Sequence, residues 1–190
     1  MSMELELKDK VAVITGSSRG LGFASARVLV TEGCRVCICA RTNDQLAKAE
    51  RELQEVAGQS DMVFAVPADV TTTDGIATVI NSSIARFGRL DVLVNNVGQA
   101  GGGDIVQTTD EDWREALDFT LYPAIRASRL AVPHMRRAGR GAIIMIASIW
   151  GRESGGRMTY NAVKAAEVSL AKSMARQLAP DGIRVNSVAP

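Results

Sequence analysis

The sequence predicts an α/β chain built on a doubly wound parallel sheet of six strands in the order 3-2-1-4-5-6. Short apolar runs alternate six times with longer stretches of helix-compatible spacing, a pattern that implies parallel strands joined by right-handed crossovers. Most runs are apolar on both faces, as expected for parallel strands covered by helices on either side. A glycine-rich turn separates the first run from the first helical stretch. The 190 residues are read as one domain over 1–190, long enough to bury a substantial core.

The first strand is "KVAVIT" (10–15), followed by "TGSSRGLG" and the helix "LGFASARVLVTEG" (21–33). The second strand, "RVCICA" (35–40), leads into "NDQLAKAERELQEVAG" (43–58), which Thr42 or Asn43 can cap. Asp44 falls in that helix's first turn, where a negative charge complements the dipole. "MVFAVPADV" (62–70) and "LDVLVN" (90–95) are the third and fourth strands, separated by the helix "TTDGIATVINSSIARFG" (72–88). A long helical stretch runs from 109 to 139, capped by Thr109 or Asp110. "AIIMIAS" (142–148), the helix "TYNAVKAAEVSLAKSMARQLAPDG" (159–182) and "IRVNSVA" (183–189) complete the series. Several helical stretches stop at glycine, a common C-terminal signal.

Lys and Arg number 22 against 21 acidic residues, so no net field attracts nucleic acid or an anionic membrane. No signal-peptide core or membrane-length apolar run stands out, and a cytoplasmic protein is expected. Cys34 and Cys37 form a Cys-x-x-Cys pair, with Cys39 close by. Residues three apart in a strand point to opposite faces, and no second pair completes a metal site. Buried, reduced thiols are the reading, with no metal. The single histidine, His134, lies in a helical stretch and is assigned a structural or solvent-facing role.

The turn "TGSSRGLG", Thr15 to Gly22, sits where a strand hands over to a helix. Backbone N–H groups and the positive end of the helix can receive a pyrophosphate there. Its spacing is Gly16-x3-Gly20-x-Gly22, different from the commonest G-x-G-x-x-G fingerprint. The second strand ends in Ala40-Arg41 rather than in an acid, and Arg19 lies within the turn. Two guanidiniums can clamp a 2′-phosphate. Together with the motifs that follow, the turn is read as a Rossmann dinucleotide site, and the arginines favour NADP(H) over NAD(H).

Further motifs follow in order: "ADV" (68–70), "NNVG" (95–98), Ser148 in "IASIWG" and "YNAVK" (160–164). With the glycine turn, this ordered set resembles the short-chain dehydrogenase/reductase family, in its 3-oxoacyl-acyl-carrier-protein reductase-like form. The resemblance implies a cofactor site made of Gly16, Ser17, Ser18, Arg19, Gly20, Leu21, Gly22, Arg41, Asp69, Val70, Asn95, Asn96, Val97, Gly98, Tyr160, Lys164 and Pro190. Within it, Asp69 and Val70 flank the adenine, while Asn95 to Gly98 line the adenosine side and steady the central strands. It also implies that Ser148 holds the substrate oxygen, Tyr160 transfers the proton, and Lys164 serves both Tyr160 and the nicotinamide ribose. Independently, residues 160 and 164 share a helix face. An ammonium about 5 Å from a phenol favours its ionised form by roughly 3 kcal/mol at an effective dielectric near 20.

Two departures from the family stand out. Thr120 occupies the position where the family usually carries an asparagine. The chain also stops at "NSVAP", where family members continue, so the expectation is a chain truncated or incomplete at its C-terminus. The leading reading is an NADP-dependent oxidoreductase moving hydride between nicotinamide and a small-molecule carbonyl or alcohol. The alternative is a catalytically weakened dinucleotide-binding protein with a regulatory or structural role. Gln99, "AGGG" (100–103), Trp150, Arg152, Glu153 and Arg157 are expected in loops around the substrate. The resemblance further implies a homodimer or homotetramer formed through the helices beginning near 110 and 158.

Overall fold

A computed structural model describes residues 5–99 and 101–190. Six strands form one sheet: β1 (Val11–Ile14), β2 (Arg35–Ala40), β3 (Val63–Pro67), β4 (Val92–Asn95), β5 (Gly141–Ile146) and β6 (Ile183–Val188). Their order is β3-β2-β1-β4-β5-β6, and every pairing is parallel, as the alternation predicts. The strand order reverses between β1 and β4, and a crevice opens beyond the carboxyl ends at such a point.

Side-chain alternation divides the core into two layers. Val13, Cys37, Cys39, Leu93 and Ile143 face one side, where Ile76, Ile80, Ala127, Met135 and Ala171 cover them. Ala12, Ile14, Val36 and Ile38 face the other, beneath Ala26, Val30, Leu46 and Leu53. The covering helices are α1 (Gly20–Thr31) and α2 (Asn43–Ala57) on the second face, with α3 (Thr73–Phe87), α5 (Tyr122–Ala138) and α6 (Met158–Leu178) on the first. Neighbouring residues of one strand therefore belong to different layers, as the period of two requires.

Several boundaries differ from the sequence expectation. The third strand stops at Pro67 on the sheet edge, where a residue without an N–H is tolerated. Asp69 then closes a turn by accepting from the Thr71 N–H (3.0 Å) and hydroxyl (2.7 Å). Thr42 occupies the N-cap of α2, yet its side chain makes no capping bond. Thr109 does cap, accepting from Asp112 N while Asp112 reaches back to Thr109 N, so Asp110 lies inside helix α4 (Asp110–Ala116).

The stretch 109–139 is not one α-helix. A π turn, Leu117–Leu121, separates α4 from α5. The Tyr122 N–H donates to Leu117 O, one residue farther back than in an α-helix. Pro123 follows and has no N–H to offer the Phe119 carbonyl, which removes one bond of the regular ladder.

Candidate active site

The glycine turn is held from three directions. Ser17 is buried, donating to Ile14 O (2.6 Å) and accepting from Cys39 N (3.0 Å). Asn96 Nδ2 donates to both Thr15 O and Gly16 O at 3.0 Å, tying the turn to the end of β4. The Asn96 N–H also donates to Thr15 Oγ1 (2.9 Å). Gly16 takes a positive φ of 61°, a conformation that an L side chain resists. At Gly22 the constraint is space: a Cβ would stand 2.6 Å from Gly16 O and 2.5 Å from Asn96 Nδ2. Helix α1 opens at Gly20 with neither a side-chain cap nor an acid in its first turn. Its free N–H groups are thus available to an anion.

A cleft of about 500 Å³ lies above this turn. Gly16, Ser18, Arg19 and Gly20 form its floor, Arg41 stands at the end of β2, and Asp69 and Val70 follow β3. Asn96, Val97 and Gly98 close the side towards β4. The Thr71 hydrogen bonds, aided by the nearby Arg41 charge, hold the Asp69 carboxyl below its ordinary range. Arg41 lies 5.8 Å from the ring centroid of Phe119, a cation–π pair that fixes the guanidinium at the cleft wall. Sequence reasoning passes over Phe119. Only the proline four residues on hints that this helical stretch opens and turns a side chain outward.

The remaining expected residues divide. Ser17, Leu21, Gly22, Asn95 and Pro190 are not cleft walls. Ser17 and Gly22 shape the turn from beneath, while Leu21 is exposed on α1. Asn95 is buried, its Nδ2 reaching Ser128 Oγ and Met145 Sδ at 3.3 Å, a strand-steadying position. Pro190 accepts from the Ile149 N–H at 3.4 Å, beside the Ser148 turn.

Lys164 stands beside Gly98, a wall of the cleft, with Tyr160 on the same helix and the turn that Ser148 caps packed against that helix. Strand β5 ends at Ile146, and Ser148 instead caps the short 3₁₀ turn Ile149–Gly151, accepting from Trp150 N (3.3 Å). This turn packs on α6 so closely that a Cβ on Gly151 would stand 2.8 Å from the Lys164 backbone. Lys164 Nζ lies 5.6 Å from the Tyr160 ring centroid, and a Cβ on Gly98 would stand 2.9 Å from it. Thr120 is fully buried in the π turn, accepting from Gln99 N (3.2 Å), with its methyl beside Gly98.

Lys164 is only 2% exposed and donates to Ile146 O (2.7 Å) and Glu167 Oε2 (2.8 Å). Glu167 is fully buried, and burial pushes its carboxyl up to about 7 against the opposing pull of Lys164. The sequence signal for this partner is an acid three residues after Lys164, on the same helix face. Such pairs are ordinarily solvated, so spacing alone does not mark it.

The loops around this group are tied together. Arg157 Nη1 donates to Gly102 O (3.1 Å), and Thr159 Oγ1 donates to Gly101 O (2.6 Å). Trp150 lies against Gly155 and Gly156, where any added Cβ would strike its indole, so it packs its own loop. Gln99, Arg152 and Glu153 are exposed, and Ala100 lies outside the described residues. His134 is far from this cluster, near the end of α5 that leads into the start of β5, and its Nδ1 meets Arg137. All three cysteines are free and buried, with Cys34 and Cys37 in opposite core layers.

The model of the short chain dehydrogenase family matches residues 10–190. The chain is 36% identical over 182 residues to the 3-oxoacyl-(acyl-carrier-protein) reductase FabG of Staphylococcus aureus strain Mu50, covering 95% of this chain and 73% of that protein. L-sorbose reductase from Gluconobacter frateurii, solved with NADPH and L-sorbose, is 39% identical with a TM-score of 0.94. That match covers 99% of this chain and 71% of the reductase. A 7α-hydroxysteroid dehydrogenase solved with NADH and 7-oxo glycochenodeoxycholic acid is 31% identical with a TM-score of 0.91, covering 97% and 71% of the two chains. The ordered motifs, the reversed strand order and the family match agree: this chain belongs to the short-chain dehydrogenase family, oxidoreductases that act on CH–OH and C=O groups.

Proposed function

We propose that the chain is an NADPH-dependent reductase of small-molecule carbonyls, with Ser148, Tyr160 and Lys164 as its catalytic group. The observation that carries this reading is Gly98, which lines the cleft and leaves no room for a Cβ beside the buried Lys164 ammonium. It joins a place for a dinucleotide to a place for proton transfer. The uncapped start of α1 and the backbone of Gly16 to Gly20 suit a pyrophosphate. Arg19 and Arg41 suit a 2′-phosphate. When bound, the nicotinamide supplies the hydride.

The chain's own residues manage the proton and the oxygen. Ser148 Oγ already accepts from Trp150 N, which leaves its own proton free to donate to a substrate oxygen. Tyr160 gives its phenolic proton to that oxygen as negative charge develops there. The Lys164 ammonium, 5.6 Å from the Tyr160 ring, stabilises the phenolate left behind. In the oxidative direction, the phenolate takes the proton from an alcohol.

The similarity to a 3-oxoacyl reductase and to a ketose reductase supports two substrate classes, β-keto thioesters and sugar ketones. Exposed Ala162, Ala165 and Ser169 form a small-residue face on α6, which supports a homodimer or homotetramer by allowing close helix approach. A cytoplasmic setting belongs to the same reading. No helix among the described residues is long and apolar enough to cross a membrane.

The test is NADPH oxidation with acetoacetyl-coenzyme A, L-sorbose and simple ketones, with NADH as the comparison. Turnover with at least one carbonyl is expected, with NADPH the better cofactor. Tyr160→Phe should lower kcat by about 10²-fold or more, while NADPH Kd stays within about threefold. Binding of NADPH without turnover across the panel assigns the chain to the binding role instead. Undiminished turnover by Tyr160→Phe removes Tyr160 from the mechanism.

A further inference from the structure

We propose that Glu167 is a positioning residue for this reaction, anchoring the Lys164 ammonium from behind so that one N–H remains for the cofactor side. The inference rests on the catalytic reading of Lys164 given above. An ammonium has three N–H donors. Two are already engaged, one by Ile146 O at 2.7 Å and one by Glu167 Oε2 at 2.8 Å. The third has no partner among the described residues, and Nζ lies against Gly98, a wall of the dinucleotide cleft. Without the carboxylate, the ammonium keeps only one carbonyl partner, and the direction of its third donor is no longer fixed from two sides.

Three features distinguish this pair from an ordinary surface i,i+3 contact. Both residues are buried, Lys164 to 2% exposure and Glu167 completely. The second carboxylate oxygen, Oε1, is buried without a hydrogen-bond partner, a costly arrangement for a residue serving packing alone. Lys164 is also the charge that acts on Glu167. Arg114 and Glu115 of α4, Asp118 of the π turn and Arg184 of β6, all on elements packed against α6, are exposed to solvent. The charge state of the anchor changes around neutral pH, so the hold on Lys164 tightens as the carboxylate forms.

The experiment is a double-mutant cycle in the whole chain, with Glu167→Gln and Lys164→Met alone and together. It is assayed with NADPH and the fastest carbonyl among acetoacetyl-coenzyme A, L-sorbose and simple ketones, alongside NADPH binding and thermal melting of the cofactor-free protein. With Lys164 present, Glu167→Gln should lower kcat by about fivefold or more, and remove an inflection near pH 7 from its pH profile. NADPH Kd should stay within about threefold. In Lys164→Met the same substitution should change kcat and melting temperature little, because its effect passes through Lys164. Unchanged kcat with Lys164 present, or an equal loss in both backgrounds, overturns the proposal and leaves Glu167 a packing residue. If Lys164→Met itself turns over normally, the catalytic reading of Lys164 falls, and the anchor with it. Should Glu167→Gln fail to fold, Glu167→Asp serves, since it withdraws the carboxylate by one methylene. A loss of about fivefold in kcat with NADPH binding retained supports the anchor, and unchanged kcat overturns it.

Discussion

Among single residues, Glu167 links the site to stability. Its ordinary carboxyl value is 4.5, and burial raises it to about 7 in the folded chain. A raised acid binds its proton more tightly folded than unfolded, so its contribution is fully present below 4.5 and is lost as pH rises through 7. Glu167→Gln removes that loss, because the amide has no proton to release. The melting-temperature advantage of wild type over Glu167→Gln should therefore shrink from pH 5 to pH 8, and calorimetry at constant ionic strength checks it; an advantage that grows refutes the assignment. Tyr160 and Lys164 were legible because four-residue spacing fixes a shared helix face. Glu167 was hidden because its three-residue spacing is equally visible on any solvated helix, while its burial depends on packing with distant elements.

Among elements, the glycine turn was legible in outline and its bracing was not. Position after the first strand and before a helix marked the turn that floors the cleft. The brace is Asn96, whose carboxamide reaches a carbonyl 80 residues earlier in the chain, and no local pattern reports such a contact. Gly22→Ala tests the brace. Its Cβ would press on backbone oxygen and on the Asn96 amide, neither of which can yield cheaply. A loss of about 1–3 kcal/mol in stability is expected, together with weaker NADPH binding, measured by chemical denaturation and by nucleotide fluorescence. An alanine variant with wild-type values for both would show that the turn has slack. The 109–139 stretch was read as one helix because hydrophobic spacing is insensitive to one widened turn. Pro123 was the available sign of the break, since a proline in a helix withholds one ladder bond. The widened turn carries Thr120 to Gly98 and Phe119 to Arg41.

For the whole molecule, strand order was legible because topology rules leave few alternatives once six parallel strands are inferred. The cysteines followed from the same alternation. All three are fully buried, and desolvation pushes Cys34 up to about 11 and Cys39 up to about 12, with Cys37 also raised. Thiols so held are poor nucleophiles. In native buffer near pH 7.5 none should react with an aromatic disulfide reagent within minutes, and all three should react after unfolding in guanidinium; rapid native labelling would contradict the two-layer core. The Asn96 brace has a last consequence. It crosses the seam where β4 joins β1, so one carboxamide staples together halves of the sheet that each begin their own run of crossovers. A slip of β4 by one residue would pull that staple from both carbonyls at once and loosen the turn proposed to hold the cofactor's phosphates. Nucleotide affinity in this chain is therefore a gauge of whether the seam has closed in register.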